Sequence, residues 1–175
     1  MLFKITPAAI EDIPQLVSLV NSAYRGEASK KGWTTEADLL DGIRTDEASL
    51  YIIMNKPSAV ILKYLNENNE ITGCVYLEAN NDELYLGMLS VAPQSQAQGI
   101  GKQLMKASEE YAQQHGLKAV VMTVISVRTE LIKWYERHGY KQTGHLKPFP
   151  DDNKAGVPKK PLQFVVLKKL LKQRI

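Results

Sequence analysis

Leu89-Ser90-Val91-Ala92-Pro93-Gln94-Ser95-Gln96-Ala97-Gln98-Gly99-Ile100-Gly101-Lys102-Gln103-Leu104 is the stretch whose reading decides the fold of this chain. β-favouring residues run up to Val91, a turn marked by Pro93 follows, and two glycines open a helix in which Ile100, Leu104, Ala107 and Tyr111 share one apolar face. Such a strand-to-helix turn can aim successive backbone N–H groups at one point. The first N–H groups of a helix have no internal partner, and the helix dipole adds partial positive charge there. The natural guest is a phosphate or pyrophosphate, and glycine lets it approach without a Cβ in the way.

Two better-known phosphate loops are excluded. A Walker loop needs a glycine at position 96 and Ser or Thr at 103, and the chain has Gln96 and Gln103. A dinucleotide fingerprint needs a third glycine at 104, where the chain has Leu.

Outward from the loop, the preceding chain reads as an antiparallel meander. Runs at 58–65 and 71–78 flank a polar turn, Asn66 to Glu70, and the run Glu83 to Val91 follows a second turn at 80–82. Residues 2–7 predict an opening strand. Asp12 and Pro14 then start a helix whose face is Ile13, Leu16, Val17, Val20 and Tyr24. Residues 25–33 read as a loop, and Thr35 with Asp38 suggests a capping box for a short helix through Ile43. Leu50 to Met54 leaves helix and strand both open. Downstream, 119–125 predicts a buried strand, and Leu131, Trp134, Tyr135 and His138 mark a helix that ends at Gly139. Four prolines between 145 and 162 predict a long loop before a last strand at 163–168. The sum is one mixed α/β domain over 1–175.

The longer pattern V-x-P-x-x-Q-x-x-G-x-G closely resembles the coenzyme A loop of the GCN5-related N-acetyltransferase (GNAT) superfamily, whose core is Q/R-x-x-G-x-G/A; Gln96, Gly99 and Gly101 fill it. The resemblance implies a mostly antiparallel sheet with a central splayed parallel strand pair, flanked by helices. It implies acetyl-CoA as cosubstrate, Leu89, Ser90 and Val91 along the pantetheine arm, and Gln96, Ala97, Gln98, Gly99, Ile100, Gly101 and Lys102 at the pyrophosphate. A second string, Arg128 to Tyr140, is similar to the family's N-x-x-A-x-x-x-Y-E-x-x-G-F, with Tyr135 at the tyrosine that protonates the departing thiolate. A phenol stays protonated at neutral pH and can donate. Arg128 stands where the pattern has Asn, with two uses open: a cofactor phosphate, or an acid inside the protein.

The base that takes the amine's proton is less defined. Relatives often carry Glu on the strand before the loop; here Tyr85 takes that place, and Glu83 lies on the same strand face two residues upstream. Glu83 is the first candidate and Glu78 the second, with solvated carboxylates and a water relay equally open. Family likeness puts the acceptor wall after the first helix, which names Tyr24, Arg25 and Trp33 with Tyr85 and Phe149. Arg25 could fork onto a carboxylate or phosphate of the acceptor, or simply be solvated.

The expected activity is acyl transfer from acetyl-CoA to a primary amine of a small molecule or peptide, by direct attack in a ternary complex. An acyl-CoA-binding module without turnover and a protein-lysine acetyltransferase are the alternatives. A net charge of +3, with both signs mixed along the chain, gives no basic stripe for nucleic acid. No apolar run reaches membrane-spanning length, and the lone Cys74 excludes an internal disulfide and a cysteine metal cluster. His115, His138 and His145 are too scattered for a metal site. A cytoplasmic monomer or homodimer is expected.

Overall fold

The computed structural model describes residues 2–25 and 35–173. Nine strands are found among them: β1 (Lys4–Pro7), β2 (Leu40–Asp41), β3 (Ala59–Leu65), β4 (Ile71–Asn80), β5 (Glu83–Val91), β6 (Ala119–Ile125), β7 (Lys141–Pro148), β8 (Val157–Pro158) and β9 (Gln163–Leu170). The α-helices are α1 (Ile13–Tyr24), α2 (Glu47–Met54), α3 (Ile100–Gln114) and α4 (Thr129–Arg137). Seven strands form one sheet in the order β1-β3-β4-β5-β6-β9-β7, and β2 pairs with β8 apart from it. Every pairing is antiparallel except β5 with β6.

The sheet is covered on both faces, so its central strand reads apolar almost without alternation. In β4, Cys74 and Tyr76 join one core cluster with Leu16, Leu19 and Val20 of α1 and Leu50 of α2. Val75 and Leu77 join the other, with Ile100, Leu104 and Met105 of α3 and Ile132 and Tyr135 of α4. Gly73 sets the start of α3: a Cβ there would stand 2.8 Å from Ile100 Cγ2 and 3.0 Å from Leu104 Cδ1. The missing side chain therefore seats the first turns of α3 directly on the strand. The helix stops at Gly116, whose φ is +69°, with the Leu117 N–H turned back onto Ala112 O at 2.9 Å.

The structure departs from expectation in three places and settles one segment that was left open. Residues 35–43 form no helix: the Thr35 hydroxyl accepts from Ala37 N at 3.0 Å, and Leu40–Asp41 pairs with Val157–Pro158 instead. The ambiguous segment at 50–54 is helical because Asp46 caps it, its Oδ1 accepting from Ser49 N at 2.7 Å. Asp12 adjoins α1 without capping it; its carboxylate accepts from Ala9 N and pairs with Lys63, both at 2.8 Å. The expected loop at 145–162 hides the end of β7 and all of β8. β7 is an exposed edge strand with no buried face, so its sequence carries no alternation, and an edge tolerates Pro148.

Candidate active site

The site begins where β5 and β6 part. Their parallel register covers only Glu83–Tyr85 against Ala119–Val121. Beyond Tyr85 the two strands diverge, so the β5 backbone edge that faced β6 no longer carries ladder bonds to it. A bulge drives the divergence: Tyr76 pairs with Gly87 and Cys74 with Ser90, which leaves Met88 and Leu89 together opposite Val75. Met88 takes a φ of +50°, and its side chain fills the α1-side core. The Tyr24 hydroxyl donates to Leu89 O at 2.9 Å and ties the bulge to the end of α1.

The gap is one cleft with two halves. The first, about 290 Å³, runs past Leu89 and Val91 to Gln96, Ala97, Gly99, Ile100, Gly101 and Lys102, with Trp134 and His138 of the α4 region opposite. The second, about 250 Å³, is lined by Arg25, Glu36, Arg44, Tyr85, Phe149 and Phe164, with Met122 to Ile125 of β6 as its wall. Tyr24, Leu89, Arg128, Leu131 and Tyr135 border both halves.

The first half has the geometry of an anion cradle. Ala97 and Gly99 take φ values of +67° and +81°, which turns the chain so that the N-terminus of α3 opens into the cleft. The first backbone donor engaged within the helix is Gln103 N, to Gly99 O at 3.0 Å, so the N–H groups before it have no intrahelical acceptor. A Cβ built on Gly99 meets nothing within 4 Å, so the space over the turn is open for a phosphate. At Gly101 a Cβ would stand 3.4 Å from the Trp134 ring, an ordinary contact distance, so α3 and α4 pack against each other closely here. Gln96 serves the loop itself, its side-chain nitrogen donating to Val91 O at 3.3 Å.

Tyr135 sits at the junction. It is buried, edge-on to Trp134 and Tyr140, and among the described residues none hydrogen-bonds its hydroxyl. Burial pushes the phenol well above its ordinary value of 10, Tyr24 pushes the same way, and Arg128 opposes them. Tyr24 is raised to about 12, again by burial first, with Arg44 opposing.

Several expected residues lie elsewhere. Glu83 is on the closed side of the splay, where it pairs with Lys168 across β6, and it lines neither half. Glu78 accepts from the Tyr76 hydroxyl and from Lys56 Nζ; the Tyr76 bond leads in lowering its pKa, against burial, and such a carboxylate is a poor base. Ser90 turns its buried hydroxyl onto Met88 O at 2.9 Å, and neither it nor Gln98 lines the cradle. Arg25 is neither solvated nor free for an acceptor. Its Nε and NH2 bind Glu36 Oε1 at 3.3 and 2.7 Å, and its fork also donates to Ile43 O and Ala155 O. Arg128 caps the same acid from the other side, donating to Glu36 Oε2 at 2.9 Å, the second of its two open uses, while it also borders both halves of the cleft. Trp33 lies outside the described residues. Sequence reasoning missed Glu36 and Arg44, which no local pattern distinguishes from surface charges.

A parallel strand pair opened by a bulge, with a helix N-terminus at one end and a buried tyrosine at the junction, gives a two-part cleft with an anion cradle at one end. The family model for the acetyltransferase (GNAT) family matches residues 15–140, and the chain belongs to that family. Among curated proteins it is 37% identical over 73 residues to "Probable N-acetyltransferase camello" of Xenopus laevis, covering 42% of this chain and 33% of that protein. It is 31% identical over 80 residues to "Probable N-acetyltransferase 14" of Xenopus tropicalis, covering 45% and 39%. The match thus spans well under half the length of these curated relatives.

Solved structures share the fold over nearly the whole chain. The ribosomal-protein-S18-alanine N-acetyltransferase from Escherichia coli superposes with a TM-score of 0.72 at 13% identity, covering 99% of this chain and 97% of that one. Nourseothricin acetyltransferase gives 0.71 at 16% identity, covering 98% and 100%. Among the described residues no helix is long and apolar enough to cross a membrane, and no group of three or more His, Cys, Asp or Glu could hold a metal ion.

Proposed function

We propose that this chain transfers an acetyl group from acetyl-CoA to a primary amine of a small molecule or peptide, by direct attack with both substrates held in the cleft. The observation that carries the reading is the meeting of an anion cradle and a second, separate half-cleft at one buried tyrosine. The α3 N-terminus takes the pyrophosphate, with Gly99 and Gly101 giving access. The unpaired β5 edge near Leu89 and Val91 takes the pantetheine amides, as an added strand would. Tyr135 gives its proton to the departing thiolate. Much of the acceleration then comes from holding two reactants together in a site screened from water.

The amine's proton leaves by another route. Glu36 is the one carboxylate lining the cleft among the described residues, and guanidinium groups engage both of its oxygens. A water relay along the open backbone therefore serves as the base.

Titration calorimetry with acetyl-CoA, paired with a free-thiol assay over a broad amine panel, tests the reading. Gly99→Glu should weaken acetyl-CoA binding by roughly a hundredfold or more, because it blocks the cradle and sets a like charge against the pyrophosphate. Backbone strain contributes too, since a left-handed residue other than glycine costs about 1–2 kcal/mol. Gly99→Asn tolerates that conformation and separates strain from blockage. Undiminished binding by folded Gly99→Glu protein would remove the cradle from the account. A parent that binds acetyl-CoA yet releases no thiol with any amine would favour a binding module.

Glu83→Gln provides the contrasting case. The Lys168 pair is about one-third exposed on each side and contributes at most about 1 kcal/mol. Its loss should leave kcat within roughly twofold of the parent and shift the melting temperature slightly. A hundredfold drop in kcat would return Glu83 to the mechanism.

A further inference from the structure

We infer that the amine acceptor is a small molecule carrying an anionic group, a carboxylate or a phosphonate, and that Arg44 receives it. The inference deepens the acyl-transfer reading and rests on it.

The acceptor half presents three guanidinium groups, Arg25, Arg44 and Arg128, against the single carboxylate of Glu36 among its described lining. Arg25 and Arg128 are spoken for. Both are about 5% exposed and both bind Glu36, and Arg25 spends its remaining donors on main-chain carbonyls. Arg44 is different. It is only partly buried, its guanidinium stands 5.5 Å over the Tyr24 ring, and no described carboxylate or carbonyl binds it.

The main chain at Arg44 is nonetheless fixed. Asn21 of α1 accepts from Arg44 N at 2.8 Å and from Thr45 N at 3.1 Å, and donates to Thr45 O at 2.9 Å. A planar fork is therefore anchored through its backbone, held over an aromatic ring and set in the lining of the cleft. That suits bidentate capture of a carboxylate or phosphonate.

The charge balance points the same way. An ammonium with no counter-charge would enter a cavity of net positive lining, a repulsion that an attached anion offsets. The same positive surroundings disfavour the ammonium form and so favour the neutral amine that attacks. The space is about 250 Å³, with Phe149, Phe164 and Met122 as apolar walls. That is at or below the low end of roughly 300–1,000 Å³ for pockets of drug-sized ligands, so a small acceptor fits better than a polypeptide side chain with its flanking residues.

The test is thiol release with matched pairs. One arm sets free amino acids against their carboxamides; the other sets aminoalkylphosphonates against their neutral diesters. The parent should favour the anionic member by roughly tenfold or more in kcat/KM, the scale of one charge-assisted hydrogen-bond pair. Arg44→Gln should abolish most of that ratio while KM for acetyl-CoA stays within about twofold, and Arg44→Lys should restore part of it. The arm with the larger ratio names the anion. Equal rates within the pairs, or a preference that survives Arg44→Gln, would overturn the inference. If the parent turns over no amine, the acyl-transfer reading fails, and calorimetry of the same pairs into coenzyme A-saturated protein decides this one. Anion-selective binding that Arg44→Gln removes upholds it, and binding without selectivity sinks it. A melting curve for each variant, with Arg44→Lys as the milder change, excludes unfolding as the cause.

Discussion

Replacing Tyr135 by Phe should lower kcat by roughly two to four orders of magnitude, the range of general acid–base assistance, while acetyl-CoA affinity stays close to that of the parent. The removed hydroxyl has no protein partner among the described residues, so its loss leaves no buried donor or acceptor unsatisfied. The ring keeps its packing against Trp134 and Tyr140, and stability should therefore change little. Selectivity for kcat follows because the phenol proton moves only as the thiolate departs.

The raised pKa of Tyr135 sets a condition on this step. A phenol shifted above 10 gives up its proton reluctantly, and a thiol in water has a pKa of only about 8.5. Transfer becomes favourable because the same burial that holds the phenol neutral also destabilises the nascent thiolate beside it. The kcat profile of the parent should accordingly show no loss of activity from phenol ionisation up to about pH 10. A basic limb near pH 8 would assign the acid to another group, as would an unchanged kcat for Tyr135→Phe under conditions where chemistry limits the rate.

What the sequence made legible was whatever is encoded locally. Ala119–Ile125 is an interior strand of the sheet, buried along most of its length, so its apolar run marks a strand with its limits. The cradle is legible for the same reason: a strand end, a turn and a helix start are contiguous, and their glycines answer to backbone geometry that the structure shows at Gly99. Lys141–Pro148 was lost because an exposed edge strand buries nothing and needs no pattern. Glu36 was lost because its meaning lies in partners 11 and 92 residues away, brought together only by tertiary closure. Arg25 illustrates the consequence. An arginine after the first helix leaves an acceptor anion and plain solvation both open, yet folding spends it on an acid that the chain supplies itself, and Arg44 is left beside it in the cleft lining.

That internal acid carries the other large expected effect. Glu36→Ala should destabilise the fold by about 3–5 kcal/mol, the cost of leaving a buried charge partner uncompensated, and here two guanidinium groups lose their carboxylate together. At roughly 2–4 °C per kcal/mol for a chain of this size, the melting temperature should fall by about 6–20 °C. Glu36→Gln keeps one acceptor oxygen and should lose less. The origin of the cost is testable through a triple replacement, Arg25→Met with Glu36→Leu and Arg128→Met, which removes the charges along with their desolvation penalty. If the triad costs as much to bury as its ion pairs return, that variant should recover most of the stability lost by Glu36→Ala, while acceptor turnover stays impaired because the cleft wall has changed. Differential scanning calorimetry on the three variants gives the comparison. A triple variant no more stable than Glu36→Ala would show that the hydrogen bonds to Ile43 O and Ala155 O, and not charge compensation, hold this corner of the cleft together.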